Sequence, residues 1–84
     1  MSKYVGPPTA FIDGKKVQKI RLQKGITEET LATMAGVAAY YVTRWERDGI
    51  VTCSFHTADR VAVALGIPLE EVIHQFTDDL GEQI

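Results

Sequence analysis

Residues 31–49 read LATMAGVAAYYVTRWERDG, and their spacing determines the fold. Ala32 is the small residue that a close helix crossing needs, and Gly36, one helical turn later, tolerates the positive φ of a tight turn. Val42 and Trp45 follow at helical spacing and form an inward-facing apolar stripe. Two helices that meet at a steep angle across a short turn require these residue types in this order. The stretch therefore predicts a helix-turn-helix, with helices over about residues 28–35 and 39–48.

The flanking sequence predicts three further helices and no strand. Asp13 is a candidate N-cap for a helix over residues 15–24, before the motif. After the motif, residues 50–53 are predicted to be a loop, Ser54 is a candidate N-cap for a fourth helix, and Pro68 begins a fifth. Five helices with short connections predict an all-α domain.

The chain divides into three parts. Residues 1–12 contain Gly6-Pro7-Pro8, and because consecutive prolines resist helix formation, we predict an extended N-terminal arm. Residues 13–77 form the predicted helix-turn-helix domain, and residues 78–84 form a C-terminal tail. The length of 84 residues leaves room for one domain.

Composition points to a globular protein of the cytoplasm. The chain is 45% hydrophobic and 24% charged, in the range of folded domains. No apolar run approaches the roughly 18 residues of a membrane span, and the N-terminus has no apolar segment typical of a secretory signal. Cys53 has no second cysteine with which to form a disulfide, in agreement with a reducing compartment.

Charge is distributed unevenly along the chain, although the net charge is only −2. Residues 13–49 have seven Lys or Arg against five Asp or Glu, whereas residues 50–84 have one Arg against six acids. DNA binding depends on a local basic surface rather than on the total charge. The distribution therefore permits a DNA-binding face on the first half, and a solvated charged surface is the alternative.

The stretch from Asp13 to Phe76, about three quarters of the chain, resembles the DNA-binding domain of lambda-repressor-like regulators, also called the Cro/repressor or XRE family. The strings that support the resemblance are KKVQKIRLQKGIT, LATMAGV, VTRWERDG and RVAVALGIPLEEV. The resemblance implies a five-helix domain whose third helix enters the major groove of double-stranded DNA, usually as a homodimer on a near-palindromic site. It also implies a structural salt bridge between Arg21 and Glu46.

The resemblance further implies which residues contact DNA. The family's base-contacting positions correspond to Ala39, Tyr40 and Arg44, with Thr43 beside them. Arg44 can pair with guanine or a phosphate, whereas Ala39 can only contact a thymine methyl group. Tyr40 and Tyr41 can each donate a hydroxyl to a phosphate or instead pack against the domain surface. The predicted DNA-binding residues are Thr27, Glu28, Ala38, Ala39, Tyr40, Tyr41, Thr43 and Arg44.

Two positions depart from the family pattern. Family members commonly have Gln at the position of Glu28, and a carboxylate there repels phosphate unless a cation or a cytosine amino group meets it. Many members have Ser or Thr at the position of Ala38, which caps the recognition helix. Ala38 leaves those backbone N–H groups without a side-chain cap, so they can meet a phosphate instead. Affinity should therefore depend on phosphate contacts, DNA shape and dimer spacing.

Apolar residues near the C-terminus exceed what one buried helix face needs. They are Ile73, Phe76, Leu80 and Ile84. We interpret them as possible dimer contacts, with packing in the core as the alternative. The proline-containing arm is a second candidate, which either crosses to a partner subunit or lies over DNA.

Two classes of function are compatible with these features. The first is a small sequence-specific DNA-binding transcriptional regulator, specifically a repressor. The second is a protein-interaction module that kept the fold but no longer binds DNA, which the acidic second half and Glu28 would favour. His56 and His74 fall on separate predicted helices without neighbours at metal-ligand spacing. We therefore predict no enzyme activity, cofactor, metal or small-molecule ligand.

Overall fold

The computed structural model describes residues 9–74. In chain order the elements are β1 (Thr9–Asp13), α1 (Gly14–Gln23), α2 (Glu28–Ala35), α3 (Ala39–Asp48), β2 (Ile50–Ser54), α4 (Phe55–Leu65) and a 3₁₀ turn (Leu69–Glu71). Within residues 9–74 the fold is therefore four α-helices and a small two-stranded sheet. The predicted all-α domain of five helices is wrong on both counts.

The first correction concerns the sheet. Residues 50–53, predicted to be a loop, belong to β2, which pairs antiparallel with β1. Residues 9–12, assigned from sequence to the N-terminal arm, lie in β1 and hence in the domain. Ile12 is fully buried and Val51 opposite it is 9% exposed, so one face of the sheet closes the core. The strands form because this pairing buries their apolar side chains, which neither strand achieves alone.

The second correction concerns the predicted fifth helix. After Pro68 the chain makes only the 3₁₀ turn, and Ile73 then forms a β-bridge instead of continuing a helix. The helix does not continue because the chain after the turn hydrogen-bonds to β1. These bonds involve the backbone groups of β1 on the edge that faces away from β2. The amide of Asp13 donates to the Val72 carbonyl at 2.8 Å, and Ile73 forms an antiparallel bridge with Ile12. A continued helix would leave these strand groups without those partners.

The helix boundaries follow the predicted signals. The N-caps Asp13, Thr27 and Ser54 are confirmed, since the side chain of each accepts a hydrogen bond from the backbone N–H three residues later, at 3.2, 3.0 and 3.0 Å. Gly36 ends α2 in the left-handed region at a φ of 74°. The bounds of α2 and α3 match the predicted ranges 28–35 and 39–48.

The core lies where the helices meet the inner face of the sheet. Each described α-helix contributes at least one buried apolar residue, and α3 contributes Val42 and Trp45. The largest fully buried side chains are Ile12, Leu31, Leu65, Val17, Val42, Val61 and Val72. The recognition helix predicted from the sequence is thus held against the core by one face only.

Candidate nucleic-acid interface

α3 has one buried and one exposed face. On the buried side, Val42 is fully inaccessible and Trp45 and Glu46 are each 2% exposed. On the other side lie residues that are exposed or half-exposed, namely Tyr40, Tyr41, Thr43, Arg44 and Arg47, whereas Ala39 is partly buried and packs against the core. The structure therefore places Tyr40, Thr43 and Arg44 together on one solvent-facing surface of α3, and leaves Ala39 outside it. We call the set of Tyr40, Tyr41, Thr43, Arg44 and Arg47 the outer face of α3.

The two tyrosines of the outer face differ in their packing. Tyr40 is 63% exposed and projects from the first turn of the helix. Tyr41 is 46% exposed, and its ring centroid lies 6.5 Å from that of the buried Trp45. Tyr41 therefore lies at the margin between the outer face and the core, whereas the hydroxyl of Tyr40 is available to a large ligand.

The N-terminus of α3 has no side-chain cap. Ala38 is the N-cap residue and makes no capping hydrogen bond. By contrast, the N-terminus of α2 is capped by Thr27 and has Glu28 and Glu29 in its first turn. Free N–H groups and the positive end of the helix dipole favour an anion at a helix start. Of these two starts, α3 is the one that suits a phosphate, and the carboxylates of α2 disfavour one.

Glu28 and Thr43 connect α2 to the outer face of α3. The Thr43 hydroxyl donates to Oε1 of Glu28 at 2.6 Å. The pKa of Glu28 lies below its ordinary value, chiefly because Thr43 donates this hydrogen bond, and the positive charge of Arg21 acts in the same direction. Glu28 is therefore ionised at neutral pH and can only accept hydrogen bonds.

The arginines of α3 share one acidic partner. Nε of Arg47 lies 2.9 Å from a carboxylate oxygen of Asp48, and Nε of Arg44 lies 3.8 Å from the other. The hydrogen bond from Arg47 lowers the pKa of Asp48. All three side chains are at least 41% exposed, so these ion pairs are weak and can exchange for other anions.

A buried ion pair lies beneath the outer face. Nε and Nη2 of Arg21 donate to the two carboxylate oxygens of Glu46 at 2.7 and 2.9 Å, in the pairing that the family resemblance implied. Nη1 of Arg21 donates to the carbonyl of Ile26 at 2.8 Å. The hydrogen bond with Glu46 raises the pKa of Arg21. The pair joins α1 to the inner side of α3, and Glu46 does not reach the outer face.

Two residues that the sequence analysis did not single out hold the C-terminal end of α3. Nζ of Lys15 donates to the carbonyl of Glu46 at 2.6 Å, and the amide of Gly14 donates to the carbonyl of Gly49 at 2.8 Å. A Cβ on Gly14 would lie 1.8 Å from the Trp45 carbonyl oxygen, so only glycine fits there. A glycine directly after a helix N-cap, where propensity disfavours it, was the available sequence signal.

The remaining predicted residues are distributed as follows. Ile73 is half-buried and takes part in the bridge to β1. Phe76, Leu80 and Ile84, the other possible dimer contacts, lie outside the described residues, as do residues 1–8 of the arm. Burial raises the pKa of the Cys53 thiol. Across residues 9–74 no group of three or more potential metal ligands comes together, and no helix there is long and apolar enough to cross a membrane.

Comparison with known proteins identifies the family and a related solved structure. A family model described as helix-turn-helix matches residues 17–72, which include most of α1, all of α2 to α4, and the 3₁₀ turn. The crystal structure of the restriction-modification controller protein C.AhdI from Aeromonas hydrophila is similar, with 34% sequence identity and a TM-score of 0.64. The similarity covers 69% of this chain and 86% of the controller protein. No curated protein matches the sequence.

Proposed function

The chain belongs to the XRE-type helix-turn-helix family of DNA-binding transcriptional regulators, and from this premise we propose that it is a sequence-specific repressor that docks α3 in the major groove. The outer face of α3 is the observation that supports this docking. Its side chains extend into solvent while Val42, Trp45 and Glu46 hold the opposite side of the helix. A helix fixed in this way can enter the major groove without a change in the domain.

The side chains of the outer face have the chemistry for few base contacts and several backbone contacts. Arg44 carries two parallel donors that match O6 and N7 of guanine. Ala39 lies beside the outer face and packs against the core, and it offers only a methyl group, which suits the methyl of thymine. The Tyr40 hydroxyl and the uncapped N–H groups after Ala38 suit phosphates. If Arg44 and Arg47 exchange their ion pairs with Asp48 for contacts with DNA, both side chains become available to the docked complex.

We also infer that the protein binds its site as a homodimer, in the cytoplasm where the DNA lies. One outer face reads only a few base pairs, and two copies related by a two-fold axis would read half-sites about 34 Å apart. Phe76, Leu80 and Ile84 are the proposed contacts between copies. Analytical ultracentrifugation, alone and with a symmetric duplex, tests this inference. A monomer under both conditions would contradict it.

The protein-interaction module remains the second candidate, and a specific observation favours it. Glu28 and Glu29 occupy the first turn of α2, and both arginines of α3 are engaged by Asp48. This arrangement reduces the positive potential that phosphate binding needs. An interaction module with this surface would bind DNA weakly at every salt concentration.

Selection from a random duplex pool, followed by footprinting, tests the proposed function. The affinity for the selected site should fall steeply as salt rises, because bound phosphates release counterions. Repression is tested by placing the selected site across a promoter and measuring transcription with and without the protein. Recovery of no preferred sequence, together with binding that salt does not change, would exclude the regulator and favour the interaction module.

A further inference from the structure

We propose that Glu28 and Thr43 form a base-reading pair that selects a cytosine in each half-site, with the Glu28 carboxylate accepting from the cytosine N4 amino group. This inference rests on the proposed docking of α3. In this proposal α2 contributes to base selection. Its first turn disfavours a phosphate because it carries carboxylates, and one of these, Glu28, contacts a base instead.

The first step is an accounting of hydrogen-bond donors. A threonine hydroxyl has one proton, and in this structure that proton points to Oε1 of Glu28 across 2.6 Å. An ionised carboxylate has no proton to donate and about four lone-pair positions, of which Thr43 fills one. The pair therefore presents acceptors and the Thr43 methyl group to a ligand, and it presents no donor.

The second step is location. Thr43 is exposed and lies one helical turn after Tyr40 at the edge of the outer face, and we expect it to come near a docked base edge. Glu28 is half-buried, and its hydrogen bond with Thr43 brings the carboxylate to the edge of that face. The position of the carboxylate is fixed by a second helix rather than by a flexible side chain alone, and this preorganisation favours selective recognition.

The third step is the pattern that each base shows in the major groove. Cytosine presents the N4 amino donor, whereas guanine and thymine present acceptors that repel a carboxylate. Adenine has an amino donor, but its N7 acceptor lies beside it and disfavours an acceptor-only reader. Cytosine is therefore the best match. The other bases leave the charge of Glu28 desolvated and unpaired, and this cost increases the difference in binding free energy in favour of cytosine.

The test measures base preference rather than affinity alone. The operator obtained by selection is varied to all four bases at each half-site position, and dissociation constants are measured for the unmodified protein and for Glu28→Gln. We expect one position at which the unmodified protein prefers cytosine by roughly tenfold or more. Glu28→Gln should remove that preference and shift it towards adenine, since a glutamine amide pairs with both N6 and N7 of adenine.

Two further variants separate base reading from charge and from positioning. Glu29→Gln removes one negative charge from the same helical turn, and it should change the affinity for all duplexes by a similar factor without altering base preference. Thr43→Val removes the hydroxyl but keeps the shape, so it should reduce the cytosine preference without reversing it.

The outcomes distinguish this inference from the proposed function. If no sequence is selected from the pool, the proposed docking fails and this inference fails with it. If a sequence is selected but Glu28→Gln keeps the base preference of the unmodified protein at every position, the regulator stands and the reading by Glu28 is overturned. If Glu28→Gln tightens binding to every duplex equally, as Glu29→Gln does, Glu28 acts only through its charge, which also overturns it.

Discussion

Arg21 and Glu46 form a buried ion pair with two hydrogen bonds, at 2.7 and 2.9 Å, which joins α1 to the inner side of α3. Glu46 is 2% exposed and Arg21 is 8% exposed, so neither charge has water as an adequate alternative partner. The pair fixes the rotation of α3 about its own axis, because Glu46 can meet Arg21 only when the outer face is turned to solvent. Its effect on DNA binding is therefore expected to be indirect.

The first prediction follows from this burial. Arg21→Met or Glu46→Leu alone should lower the free energy of unfolding by on the order of 3 kcal/mol, because each leaves the opposite charge buried without a partner. The double variant should cost less than either single change. Denaturant melts of the three variants measure this, and single variants as stable as the unmodified protein would contradict the prediction.

The second prediction concerns the contact between α1 and the end of α3. Gly14→Ala should destabilise the fold by about 3 kcal/mol, since its Cβ would meet the backbone oxygen of Trp45 and neither helix can retreat without opening the core. Gly25→Ala is the control, because Gly25 has a φ of 71° and no atom within 4 Å of the added carbon. That change should cost about 1 kcal/mol from backbone strain alone. Equal losses in thermal melts would show that the contact with Trp45 is not tight.

The helix-turn-helix was predictable from sequence because its signals are local. The N-caps, Gly36 and the apolar stripe of α3 all act within one or two helical turns, so each could be recognised without the rest of the chain. The sheet was not predictable in this way. β1 and β2 have five residues each and lie on either side of three helices, so their pairing depends on the finished core. Neither TAFID nor IVTCS alternates strictly between apolar and polar residues, so both lack the sequence signal of a half-buried strand.

The candidate site shows the same division. The outer face of α3 follows from helical periodicity once the buried residues are known, and the family resemblance implied that Tyr40, Thr43 and Arg44 belong to it. The hydrogen bond between Glu28 and Thr43 spans fifteen residues and depends on the crossing of two helices, so the sequence alone could not show it. The packing of Gly14 against Trp45 was not predictable for the same reason, because it depends on how α1 packs against α3.

The third prediction concerns the titration of Glu28. Thr43→Val should raise the pKa of Glu28, since the Thr43 hydroxyl is the main cause of its depression. A carboxylate whose folded pKa is depressed adds stability above its unfolded pKa and loses it as pH falls through the folded value. Thr43→Val should therefore lower the stability by a small amount above the unfolded pKa of glutamate, and this pH-dependent loss should disappear as the pH falls below the folded pKa of Glu28.

An NMR pH titration of the Glu28 side chain measures the shift directly. Thr33→Val, at an exposed threonine on α2, is the matched control and should leave the pKa of Glu28 where it is in the unmodified protein. The prediction is wrong if Thr43→Val also leaves that pKa unchanged.

The last prediction compares the two arginines of α3. Arg44→Ala should weaken binding to the selected operator by roughly 1–3 kcal/mol and relax base preference at one half-site position, because its guanidinium can pair with both acceptors of a guanine. Arg47→Ala removes the same charge one helical turn further along, nearer the end of α3, and should weaken binding to all duplexes alike. Both side chains pair with Asp48, Arg47 at 2.9 Å and Arg44 at 3.8 Å, so the total affinities of the two variants are not directly comparable. The change in base preference is therefore the readout that isolates base reading. Binding isotherms on the operator and on its single-base variants measure both effects. If Arg44→Ala and Arg47→Ala give the same uniform loss across these duplexes, Arg44 holds a phosphate rather than a base, and the docking of α3 must be rotated from the one proposed.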